Sequence, residues 1–402
     1  MAPLTPGEFD IDIRAGRVCI EFLCGNRTVS RRIIDVERHA TGVLECAIQR
    51  FAGKPGKLSF LDLQRPQTAN RVLRGTRESF TEQFRRMLFR HFPGWEIEAL
   101  TCGMDLQHSL SPAFPRAYLK RGVHGIAAMA CPRLSDEAAV LSFALIWHDY
   151  ICCMKQSSTL VNLCLFLPEK GGLLTAQRLH WLTGRRLAVR LFRFNEHGSA
   201  GEVDPEDVGN LDTRVAPGYA DAIPGNRKSN FDKFRPGRSN HTPGPEDLLE
   251  SLLRHEIHTV DPLLRREPIY AQLLTFAGMD RDLIDLLAVS EQGRLTILEL
   301  KVTEDVHLPL QALDYWMRVA GHARQGDLNR LFAGIPLDSK PPRVLLIAPA
   351  MCFHSTNATV LSYFSGGIEV ERIGINEGWR QAIQVVFRLS GPDLPISHRS
   401  LE

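Results

Sequence analysis

Charge of one sign is missing from this sequence: 48 lysines and arginines stand against 46 aspartates and glutamates, leaving a formal net charge of +2. A field that weak does not attract a polyanion by itself, so any contact with nucleic acid has to come from local basic patches. Paired cysteines are missing too. The nine, at 19, 24, 46, 102, 131, 152, 153, 164 and 352, are odd in number and form no C-x-x-C pair. Neither a disulfide framework nor a structural zinc site has support. Several lie in apolar runs, as in Leu163-Cys164-Leu165-Phe166, which fits reduced, buried thiols in a cytoplasmic protein. No basic-then-apolar leader opens the chain. The most apolar stretch, Ala138 to Ile151, is too short for a bilayer and carries His148 and Asp149. No G-x-x-x-x-G-K-[ST] loop is present, so no ATP-driven motor is encoded. These absences predict a cytoplasmic protein with neither a membrane nor ATP as partner.

What is present is ordinary globular material, 44% apolar and 23% charged. A length of 402 residues exceeds one comfortable core and predicts two or three domains. Val18 to Phe22 and Leu58 to Leu63 alternate as strands, while Arg31 to Phe51 has helical spacing through Ile34, Val36, Ala40, Val43, Leu44 and Ala47. Glu78 to Phe92 reads as a helix. Gly125–Ala130, Val140–Ile146, Val161–Leu167 and Leu187–Phe194 read as apolar strands, an α/β or α+β pattern. Arg71, Arg74, Arg77, Arg85, Arg86 and Arg90 make residues 71–90 locally basic, either a phosphate-binding face or a solvated one.

Between about residues 198 and 245, Gly, Pro, Asn and Asp dominate and hydrophobic periodicity stops, as in a linker or irregular loop. It contains Arg227, Lys228, Lys233, Arg235 and Arg238, interleaved with Phe231 and Phe234. Such a pattern can grip single-stranded nucleic acid by phosphate contact and stacking, or can be a solvated tether. A helix opens at Pro243-Gly244-Pro245-Glu246, runs through Leu248, Leu249, Leu252, Leu253 and Ile257, and stops at Pro262.

The stretch richest in chemistry runs from Asp282 to Lys301. Two apolar strands flank Glu291-Gln292-Gly293-Arg294, whose glycine suits a tight hairpin turn. Antiparallel pairing brings Asp285 beside Glu299, and alternation puts Glu299 and Lys301 on one face with Leu300 on the other. Charges in so apolar a setting are costly unless paired or bound to metal. Asp285, Glu299 and the Leu300 carbonyl can ligate Mg²⁺ or Mn²⁺. Such an ion activates water, and Lys301 is placed to orient that water or stabilise a transition state. A helix beginning at Pro309 puts Gln311 and Tyr315 on one face, close enough in sequence to fold back on the strand. Upstream, Glu256 is expected in the middle of its helix's apolar stripe and Glu250 at the margin.

Ile284-Asp285, Glu299-x-Lys301 and Gln311-x-x-x-Tyr315 together resemble the PD-(D/E)XK nuclease superfamily, especially its RecB-like and NucS-like branch. The resemblance covers roughly residues 246–320 and implies a restriction-endonuclease-like α-β-β-β-α-β core hydrolysing DNA phosphodiesters with Mg²⁺. By it, Asp285 and Glu299 match the metal-binding acids, Lys301 the catalytic lysine, and Gln311 and Tyr315 the supporting helix motif. Glu250 best matches the early-helix acid; the burial argument prefers Glu256, and both stand. Ile284 replaces the motif's proline. Arg343–Ala348, Ser355–Tyr363 and Ile368–Ile375 follow as strand, helix and strand, which suits the same fold.

The expected division is therefore an α+β region at 1–100, an α/β domain at 101–200, a linker at 201–244 and the nuclease-like domain at 245–390. Val140–Ile146 echoes Leu295–Lys301, Val161–Pro168 echoes Val344–Pro349, and Phe194-Asn195-Glu196 echoes Ile375-Asn376-Glu377. Either buried strands look alike, or the earlier half is a degenerate copy with Ala144 and Ile146 in place of Glu299 and Lys301. The sequence predicts a metal-dependent DNase in repair, recombination or defence. Its competitors are a non-catalytic nucleic-acid-binding protein on the same fold and, further off, a protein-interaction scaffold.

Overall fold

A computed structural model describes residues 9–14, 17–24, 27–40, 43–49, 55–61, 66–154, 160–183, 187–209, 244–274 and 283–391. The segment holding Arg227, Lys228, Lys233, Arg235 and Arg238 lies outside the described residues. The chain divides into two compact units, 1–82 and 83–402, and its fold is a mixture of helices with three multi-stranded sheets.

The first unit holds a five-stranded antiparallel meander: β1 (Phe9–Arg14), β2 (Arg17–Cys24), β3 (Arg27–Ala40), β4 (Val43–Gln49) and β5 (Pro55–Leu61). The helix expected over residues 31–51 is instead the pair β3 and β4. Register irregularities at Ile33/Asp35 and Val36/Arg38 interrupt the two-residue alternation there, so the apolar spacing imitates a helix.

The second unit begins within α1 (Pro66–His91), which continues the helix expected from Glu78. On it Phe84, Met87 and Leu88 are buried, while Arg77, Arg85, Arg86 and Arg90 are exposed. Then come β6 (Glu96–Thr101), β7 (Arg116–Arg121), β8 (His124–Ala130), α2 (Glu137–Met154), β9 (Leu160–Pro168), α3 (Leu173–Leu179), β10 (Val189–Phe194), β11 (Ala200–Val203) and α4 (Pro205–Gly209). The stretch from Val140 to Ile146 is thus helix, not strand. A helix buried nearly all round has little polar face, and an apolar run without a polar face hides its period. With its preceding turn, Leu134–Met154 has the length and composition of a membrane span, yet 56% of its most apolar window is buried inside the protein. The chain expected to be linker from residue 198 first completes this sheet, since β11 pairs antiparallel with β10.

After residue 243 come α5 (Pro245–His255), α6 (Ile257–Val260), β12 (Tyr270–Leu274), β13 (Leu283–Val289), β14 (Leu295–Leu300), α7 (Leu308–Gln325), β15 (Arg343–Pro349), α8 (Asn357–Leu361), β16 (Val370–Ile375) and β17 (Val385–Ser390). The expected helix–three strands–helix–strand order is present. Every residue of β14 is buried, as in a central strand covered on both faces. Leu295 and Ile297 join the core beneath α7, while Leu298 and Leu300 join Leu249, Leu253 and Ile257 from α5 and α6 on the other side. Gly293 turns the hairpin with φ +85°, and a side chain there would collide with the carbonyl oxygen of Pro336.

The two sheets of this unit share one plan. In β6–β11 and in β12–β17 alike, three antiparallel strands lead into two parallel pairings and a final antiparallel strand. The correspondence reaches single bonds. Leu163 N–H donates to Ala188 O at 2.9 Å, as Val344 N–H donates to Glu369 O at 2.9 Å. Cys131 N–H donates to Phe166 O at 2.8 Å, as Lys301 N–H donates to Ile347 O at 3.0 Å. In this shared plan β8, rather than residues 140–146, stands opposite β14; the expected match of Val140–Ile146 with Leu295–Lys301 does not hold, because the former is helix.

The halves meet through their helices around one core. Arg178 of α3 makes a buried two-pronged bond to Asp314 of α7, Nε to Oδ1 at 2.9 Å and Nη2 to Oδ2 at 2.8 Å, and its Nη1 donates to Ala138 O. His148 of α2 donates from Nε2 to Val161 O and accepts at Nδ1 from the Tyr363 hydroxyl just past α8, at 2.8 Å. Trp181 and Trp316 meet edge to face at 4.6 Å. Removing one member of a buried pair strands the other's charge at a cost of about 3–5 kcal/mol, whereas replacing both by apolar groups avoids that. Asp314→Ala is therefore expected to lower unfolding free energy in urea by about 3–5 kcal/mol, and Arg178→Met/Asp314→Leu to recover most of it.

Candidate active site

Leu286 pairs with Leu298 across β13 and β14, and the same register continued by one residue sets Asp285 opposite Glu299. Alternation from Leu295 and Ile297 carries Glu299 and Lys301 onto the α7 side at the end of the strand. Asp285 Oδ2 accepts the Leu300 N–H at 2.8 Å, so Leu300 meets this aspartate through its amide. Lys301 Nζ lies 3.3 Å from Glu299 Oε1, with the glutamate side chain 2% exposed. Glu299 Oε2 is buried without a hydrogen-bond partner.

The electrostatics follow from that placement. Burial, then the Asp285 charge, push the Glu299 carboxyl well above the ordinary range, against the pull of Lys301. Burial also raises Asp285, and the Leu300 amide and Lys301 only partly offset it. For Lys301 burial acts downward, but Glu299, Glu246 and Asp285 together outweigh it and its pKa rises. Two carboxylates with an unsatisfied oxygen between apolar strands form a site that favours a bound cation. No group of three or more His, Cys, Asp or Glu side chains close enough to hold an ion occurs among the described residues. The donors at hand are thus the two carboxylates and backbone carbonyls such as that of Leu300, with a third acid at longer range.

That third acid is Glu246, in the first turn of α5, whose charge raises both Asp285 and Lys301. The sequence reading named Glu250 and Glu256 and did not single out Glu246; the available signal for it was an acid directly after the helix-opening Pro245. Glu250 is half-buried on the same helix. Glu256 is not in an apolar stripe: α5 ends at His255, and Glu256 is the exposed residue between α5 and α6. The buried stripe is Leu249, Leu253, Ile257 and Val260, which steps past Glu256. Gln311 and Tyr315 lie one turn apart on α7. Tyr315 belongs to the central core, and Gln311 holds a buried Oε1 without a partner.

Other clusters resolve as structural. His258 bonds Leu264 O through Nε2, and Asp261 pairs with Arg343. The described cysteines are all free; Cys46, Cys131 and Cys164 are buried, but Cys152 and Cys153 are exposed, unlike the buried thiols expected. In the earlier half, register puts Arg116 at the Asp285 position, Met129 at that of Glu299 and Cys131 at that of Lys301. Ala144 and Ile146 lie on α2 and occupy none of these places.

No family model and no curated protein matches the chain. Among solved structures, a repair endonuclease from Pyrococcus abyssi is similar at 18% identity and a TM-score of 0.22. The match covers 34% of this chain and spans half the length of that one.

Because Glu299 is held beside Asp285 in apolar surroundings, neutralising it relieves repulsion. Without divalent cations, Glu299→Gln is expected to stabilise the protein by about 1 kcal/mol, a Tm rise of about 1–2 °C. A thermal melt in chelator checks this, and an unchanged or lower Tm counts against a repulsive pair.

Proposed function

We propose that the protein is a divalent-metal-dependent nuclease hydrolysing DNA phosphodiester bonds, in repair, recombination or defence, with its active centre at Asp285, Glu299 and Lys301. The observation that carries this reading is the buried Asp285–Glu299 pair beside Lys301, with the Glu299 Oε2 left unpartnered at the end of an apolar hairpin. A packing role gives no reason for two acids there, since an apolar pair would fill the same place at lower cost.

Asp285 and Glu299 would hold Mg²⁺ or Mn²⁺, with the Leu300 carbonyl and Glu246 as further oxygen donors. When bound, such an ion lowers the pKa of water and neutralises charge on a phosphate. The Leu300 amide fixes the Asp285 carboxylate through Oδ2 and leaves Oδ1 as its other oxygen donor. Lys301 keeps its proton, because three carboxylates surround it, and so presents a fixed positive charge to a developing oxyanion. Gln311 offers a buried amide oxygen on α7, the helix that follows the catalytic strand.

The decisive measurement is cleavage of end-labelled single-stranded, duplex and flap DNA with Mg²⁺ or Mn²⁺. Asp285→Ala and Lys301→Ala are each expected to lower the rate by at least about 10²-fold. Glu246→Gln should cost less, about 10-fold, as for a group acting on the metal from further out. Activity surviving both alanine variants would place the chemistry elsewhere. DNA binding without cleavage under either metal would leave a binding protein on a nuclease-like scaffold.

A further inference from the structure

Two halves with one strand plan, and a carboxylate pair in only one of them, limit what a single molecule can do to a duplex. We infer that residues 83–209 are the non-catalytic partner of the second half, and that the protein cuts one strand per binding event. This rests on the nuclease reading above.

Three observations carry it. First, the substitutions at the matching positions change the chemistry and not merely its strength. Arg116 is 3% exposed, its Nε and Nη1 have no hydrogen-bond partner, and its guanidinium carbon lies 5.6 Å from the Trp147 ring centroid. A fixed, undercompensated cation stands where the other half gathers negative charge. Asp105 is the one carboxylate acting on it, and that acid is already bonded to His108 at 2.9 Å. Met129 supplies no oxygen donor, and burial pushes the Cys131 thiol up to about 12, so neither replaces a carboxylate. Charge and donor type both exclude a hard divalent ion from these positions.

Second, the contacts between halves are reciprocal. The α2 helix meets the α8 end through His148 and Tyr363, while α3 meets α7 through Arg178 and Asp314. Third, those contacts lie in the buried core, so the helix layer beside the carboxylate pair is covered. A second copy of this chain therefore cannot dock its own catalytic half onto that layer, one arrangement that would supply a second competent centre. The pairing that would allow two cuts is made inside the chain with a half that cannot cut.

The test uses the full chain with supercoiled circular duplex DNA and Mg²⁺ or Mn²⁺, the protein limiting. Nicked circles should accumulate first and linear molecules appear only after a lag. Competitor DNA added once complexes have formed should block the second cut and spare the first. Linear product from the first turnover, persisting with competitor, would overturn the inference and leave the nuclease reading intact. A calorimetric titration with Mn²⁺ gives a readout free of activity: wild-type binding should vanish in Asp285→Asn/Glu299→Gln. Binding that persists in this double variant would reveal a second metal centre and overturn the inference. A wild type that neither binds Mn²⁺ nor cuts any DNA would remove the nuclease reading and this inference together.

Discussion

Everything in the larger unit depends on apolar helix surface that water cannot be allowed to reach. The helices α2 and α7 each cover a sheet on one side and remain apolar on the other, where α8 of the later half meets α2 and α3 of the earlier half meets α7. Strand β14 inherits its rigidity from this arrangement. β14 is buried along its whole length because α7 lies on one face and α5 and α6 on the other. Glu299 can be held in an unfavourable place only because so much well-packed surface surrounds it.

Within that packing, a few polar contacts set orientation. Hydrophobic surface alone would let two helix layers slide, since burial is insensitive to direction. Arg178 and Asp314 meet in a fixed two-pronged geometry, and His148 is bonded on both ring nitrogens. Such contacts add little net stability over apolar replacements, but they specify one alignment.

The hairpin was legible in the sequence because its signals agree: a glycine in the turn, apolar residues on both sides, and acids whose spacing closes across it. The long helix after it was legible for the same reason. Helix α2 was not, because a helix with apolar residues all round carries no period to read. Strand β3 misled in the opposite way, its irregular pairing giving Ile34 and Val36 a spacing that imitates a helix. Glu246 was hidden because its charge reaches Asp285 and Lys301 only through the way α5 lies beside the strands, and spacing within α5 does not contain that angle. The likeness between the halves was visible in β9 and β10, but aligning β8 required the register of hydrogen bonds, which no single strand records.

The Arg178–Asp314 pair also has a meaning in time. Its members are 136 residues apart, so the arginine leaves the ribosome well before its partner exists. At about 5–20 residues per second, synthesis imposes a wait of about 7–27 seconds. Throughout it α2, a helix apolar enough to pass for a membrane segment, has its own sheet on one side and waits for the later half to cover the other. The order of the halves along the chain thus makes the earlier half the one that waits for its partner during synthesis.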